Sequence, residues 1–69
     1  MALTKIANMT DVADRLRERL ANPTGFGAVS VRVLLRTGVN LRSPRPEQIH
    51  DAVLVSRVRD ALADMGYRL

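Results

Sequence analysis

Four arginines, Arg32, Arg36, Arg42 and Arg45, stand in residues 22–46, a stretch that contains no aspartate or glutamate. A guanidinium with no neighbouring carboxylate is free to hold phosphate or carboxylate oxygens through paired N–H donors. The segments on either side are nearly balanced, 1–21 at +1 and 47–69 at −1, so the net charge of +4 lies wholly in the middle. Concentrated positive charge suits either a polyanion or an acidic protein surface. The four arginines are therefore the candidate nucleic-acid-binding residues. The competing reading is a solvated face whose arginines pair with acids elsewhere in the fold.

Other chemistry is poorly supplied. The chain has no cysteine, which excludes thiolate metal sites, disulfides and cysteine nucleophiles. His50 is the only histidine and its neighbour Asp51 points about 100° away on a helix, so the two form no dyad. Asp60 and Asp64 stand one helical turn apart, but acid–base catalysis needs an enclosed cleft to shift their protonation. Gly25-Phe26-Gly27 lacks the lysine of a phosphate-binding loop. The expectation is a protein that is not an enzyme and holds no cofactor or metal.

These residues must be positioned by a single domain of 69 residues, a size at which one core only just outweighs chain entropy. The composition is 46% hydrophobic but has one Phe, one Tyr and no Trp. A core built from Val, Ala and Leu is expected to complete its burial in a homo-oligomer. The opening MALTKIANMTDVADR has too short an apolar run for a signal peptide, and no run is long enough for a membrane span. A cytoplasmic protein without a membrane role is the expectation.

Val12, Ala13, Leu16 and Leu20 recur at helical spacing and predict a helix over 11–21, with Thr10 as its N-cap. Residues 1–9 either extend it or fray. Asn22-Pro23 stops it, since the residue before proline avoids helical angles. In residues 28–36, AVSVRVLLR, Val29, Val31, Val33 and Leu35 alternate with Ser30 and Arg32, which predicts a strand. Thr37-Gly38 would turn it into a hairpin with Val39–Arg42, and Ser43–Pro46 would be an extended connector. The rival is a helix that ends at Arg36-Thr37, with Gly38 as a left-handed cap and Val39 packing back on it. Pro46 then opens a helix over 46–65, with Ile49, Val53, Leu54, Val55, Val58, Leu62 and Met65 as its apolar face. Ala52–Val55 is apolar all round and is expected to be covered on more than one side. Gly66 closes the helix, and Tyr67–Leu69 is a tail that could extend the sheet.

A helix-turn-helix reading of the run LVSRVRDALADMGYRL fails on spacing. Pro46–Ala52 leaves almost no turn before Ser56, and the mid-turn glycine is missing.

The fold expected is α+β, a helix–β-hairpin–helix with both helices on one face of a small sheet; the alternative is an all-α bundle of three or four helices. The function expected is a small basic DNA- or RNA-binding or regulatory protein that contacts phosphates through Arg32, Arg36, Arg42 and Arg45. The alternative is a non-enzymatic assembly subunit or adaptor, for example a phage-type structural part, that acts by protein–protein association.

Overall fold

The computed structural model describes residues 5–69; residues 1–4 of the N-terminal stretch lie outside the described residues. Among the described residues four helices follow one another: α1 (Met9–Leu20), α2 (Pro23–Thr37), α3 (Pro46–Ile49) and α4 (Ala52–Asp64). Among the described residues there is no strand and no sheet. The helix–hairpin–helix expectation is wrong, and the all-helical bundle is the fold.

The α1 pattern holds. Val12, Ala13 and Leu16 are buried, but the cap is Asn8 rather than Thr10: its Oδ1 accepts from Asp11 N–H at 3.0 Å. Ala21 closes the helix in the left-handed region (φ 49°), donating its N–H to Arg17 O at 3.0 Å. Asn22 is extended, as a residue before proline must be. It nevertheless starts the next helix instead of a loop. Its Oδ1 accepts from Thr24 N–H at 2.9 Å and Gly25 N–H at 3.3 Å, and Pro23 takes the first helical position, where no N–H is needed.

Residues 28–36, read as a strand, form the body of α2. Each valine costs about half a kcal/mol of helix propensity relative to alanine. That penalty is outweighed by caps at both ends and by packing against α1 and α4. Gly38, at φ 79°, donates to Leu34 O at 2.8 Å in the left-handed cap geometry that glycine adopts without strain. Val39 then turns back and is fully buried, as the rival helical reading requires. Val39–Arg42 is no return strand: Ser43 N–H closes a turn on Asn40 O at 3.1 Å, and Val39 and Leu41 both point into the core.

The helix expected over 46–65 is two helices. Gln48 caps α3, its Oε1 accepting from Arg45 N–H at 3.1 Å, and the helix ends at His50. Asp51 then leaves helical geometry (φ −79°, ψ 102°) to cap α4, its Oδ1 accepting from Val53 N–H at 3.1 Å and Leu54 N–H at 3.2 Å. A short carboxylate side chain satisfies two orphan N–H groups here and favours the positive end of the α4 dipole. Nor is Ala52–Val55 covered all round: Val55 is buried, but Ala52 and Val53 are exposed. At the far end Tyr67 N–H reaches Leu62 O at 2.8 Å and Gly66 N–H reaches Ala63 O at 3.0 Å, with Gly66 at φ 94°. This is the double cap that turns a chain off a helix. Since there is no sheet to extend, the tail packs on the core through Tyr67 and Leu69.

The core joins all of this. Met9, Val12 and Leu16 of α1 meet Phe26, Val29 and Val33 of α2, Val39 and Leu41 of the loop, and Val55, Val58 and Leu62 of α4. One polar atom is out of place there. Ser30 Oγ is buried on the inner face of α2 with no hydrogen-bond partner among the described residues. An unsatisfied buried hydroxyl costs about 1–3 kcal/mol, and alanine is also the better helix former. Ser30→Ala is therefore expected to stabilise the fold by about 1 kcal/mol, read as a higher urea midpoint at unchanged slope. A lower midpoint would show that the hydroxyl contributes to the packing and overturn this expectation.

Candidate interaction surface

The helical α2 redistributes the arginines. Arg32 and Arg36 lie one turn apart on α2, not on a hairpin face. Arg42 sits in the loop after Leu41, where its N–H donates to Asn40 Oδ1 at 3.0 Å, and Arg45 precedes α3. All four are exposed. Arg36 is engaged: its Nη2 lies 3.1 Å from Asp64 Oδ2, tying the C-terminal ends of α2 and α4. Both side chains are about half or more exposed, so the pair contributes at most about 1 kcal/mol. The side chains of Arg32 and Arg42 make no hydrogen bond or ion pair among the described residues. The basic segment thus offers unpaired guanidinium groups, but not as one four-arginine cluster.

Asp60 and Asp64 line one shallow, open hollow with Arg36 and Arg57. Asp60 is exposed, and its turn-mate Asp64 holds Arg36 at the surface. His50 is exposed at the end of α3, apart from both. Among the described residues these groups share no enclosed cleft.

What the hairpin reading hid is apolar. On a strand, Val29, Val31, Val33 and Leu35 share a face. On a helix Val29 and Val33 turn inward, while Val31 and Leu35 turn out. Val31 is 53% exposed, Leu34 40% and Leu35 81%. Thr24, Ala28, Val31 and Leu35 follow the i, i+4, i+7, i+11 spacing of one helical stripe, and all four are exposed.

One margin of this stripe is a groove of about 870 Å³ lined by Arg17, Asn22, Phe26, Gly27, Val31 and Arg42, among others. Arg17, which the charge reading passed over, is fixed there. Its guanidinium lies 4.5 Å from the centre of the Phe26 ring, and its Nη1 lies 3.1 Å from Asp14 Oδ1. A guanidinium over a ring and paired through one Nη still has N–H donors for a further acceptor. No sequence spacing links Arg17 with Arg42; the two-residue reversal at Ala21-Asn22 brings α1 alongside α2 and makes them neighbours of one groove.

No helix of the described residues is long and apolar enough to cross a membrane. No protein-family model, curated protein or solved structure matches the chain.

Proposed function

We propose that this protein is a small non-enzymatic adaptor that acts by protein–protein association through the outer face of α2. The observation that carries it is the exposed aliphatic stripe, with Leu35 81% exposed on a helix capped at both ends whose opposite face is the core. Aliphatic side chains gain by leaving water and gain little from a phosphate backbone, so a face of Val31, Leu34 and Leu35 fits a protein better than a polyanion. Arginine beside an apolar patch is also the usual composition of protein interfaces.

The test is site-specific crosslinking. A photoreactive side chain at position 35, introduced in the cells that make the protein, should join it to one discrete protein species. The same group at Val53, exposed on α4, is the control. Val31→Glu should remove the crosslink and shift folding stability by less than about 1 kcal/mol. If position 35 captures nothing above the Val53 control, the association reading fails. The nucleic-acid function replaces it if purified protein binds DNA or RNA with a steep dependence on salt, reduced by Arg42→Ala and Arg45→Ala.

A further inference from the structure

We propose that the groove between the end of α1, α2 and the 38–45 loop receives an acidic amphipathic segment of another protein. Its apolar side chains lie over Gly27, Ala28 and Val31, and its carboxylates reach Arg42 and Arg17. The proposal rests on the preceding reading of α2 as an association surface and names the chemistry of the partner.

Charge decides the occupant. No acidic side chain lines the groove, and two arginines do. Arg42 brings a guanidinium with no side-chain partner among the described residues, and Arg17 one held between the Phe26 ring and Asp14, with donors left over for a second carboxylate. Arginine holds a carboxylate through two parallel N–H donors, so a partner with Asp or Glu beside its apolar ridge satisfies both edges of the contact. At about 100° per residue, Arg32 falls on the other side of the Ala28–Val31–Leu35 stripe from Gly27, which lines the groove. The apolar strip is thus bordered by positive charge on both sides.

The same arithmetic disfavours a second copy of this chain. Two copies bring +4 each. A two-fold contact centred on Val31 would also set Arg32 near its own symmetry mate, and like charges placed together oppose association.

Size points to a segment rather than a broad surface. A helix of 15 residues is about 22 Å long. A strip of that length and about 10 Å width falls well short of the ~800 Å² per partner of a standard stable interface. The dimensions suit one helix or extended peptide laid in a groove, recognised by a few apolar anchors.

The experiment titrates ¹⁵N-labelled protein with two designed amphipathic peptides that share one leucine ridge, one flanked by glutamates and one by lysines. The glutamate peptide should shift the amide signals of Gly27, Ala28, Val31 and Arg42 saturably, and more weakly as salt rises. The lysine peptide should not. Arg42→Glu, a change in exposed loop, should weaken the glutamate peptide roughly tenfold and let the lysine peptide bind. Equal binding of both peptides, no binding of the glutamate peptide, or shifts confined to α4 would overturn the acidic-partner inference. So would a concentration-dependent dimer in light scattering that buries the same amides. Capture of a protein at position 35 combined with failure of the glutamate peptide would leave the association reading standing and remove only its chemistry. Failure of both would remove the two together, and competition for the groove by a DNA duplex would assign it to nucleic acid instead.

Discussion

Replacing Val33 with Asp is expected to unfold the protein, while the same replacement two residues earlier, Val31→Asp, leaves its helical circular dichroism and urea transition nearly unchanged. Val33 is fully buried between α1 and α4 neighbours in the core, whereas Val31 is 53% exposed on the outer side of the same helix. A carboxylate buried without a partner costs several kcal/mol. A chain of 69 residues holds roughly 3–10 kcal/mol of total stability at 0.05–0.15 kcal/mol per residue. The first change therefore consumes most or all of it. On the outer face Asp and Val have similar helix propensity, and the carboxylate stays hydrated, so the second change costs less than about 1 kcal/mol. The contrast reports the helix directly, because a strand would put positions 31 and 33 on one face and make the two variants equally damaging. Two equally destabilised variants would return residues 28–36 to the strand.

That pair of valines also shows where the sequence was ambiguous. VSVRVLLR satisfies a period of two through Val29, Val31, Val33 and Leu35. It satisfies the helical period equally well through Val29, Val33 and the more distant Phe26 and Thr37. The stop and start signals were better guides than the interior. Gly38 with Val39 behind it, and Pro23 after a capping side chain, are both legible as helix ends. Asn22-Pro23 was ambiguous only in direction, since one residue can end a helix and cap the next. The body of α1 was legible because Val12, Ala13 and Leu16 fit no period but the helical one, although its cap is Asn8 and not Thr10.

Asp51 was not legible as a break. A lone aspartate is tolerated inside a helix, and the break shows only in the fold, where Asp51 caps α4 and both α3 and α4 pack on α1. Of the proposed site, Arg32 and Arg42 were readable from charge alone. Arg17 was not, because in sequence it sits among Asp14 and Glu18, and in the fold it does pair with Asp14. Its role depends on the angle at which α1 meets α2 and on a ring, Phe26, that the fold brings beneath it.

The second large effect is expected from a loop. Leu41→Ala should destabilise the protein by about 2–5 kcal/mol, as much as a deletion inside a helix. Leu41 is fully buried although it lies in irregular chain, and it packs in one cluster with Val39, Leu16 and Leu62. Removing its branched end leaves a cavity among side chains from three elements that cannot all close upon it. For a domain of this size each kcal/mol moves the midpoint of melting by about 4–8 °C, so a fall of roughly 10 °C or more is the expected reading. Leu35→Ala, at a position 81% exposed, should move it by no more than a few degrees. The comparison bears on function because Arg42 follows Leu41 directly, and its own N–H is tied to Asn40. If the loop is anchored by Leu41, Arg42 meets its partner from a fixed position and little ordering entropy is lost on binding. A Leu41→Ala protein that melts with the wild type would mean the segment is a loose connector, and the groove would lose one of its two arginine walls.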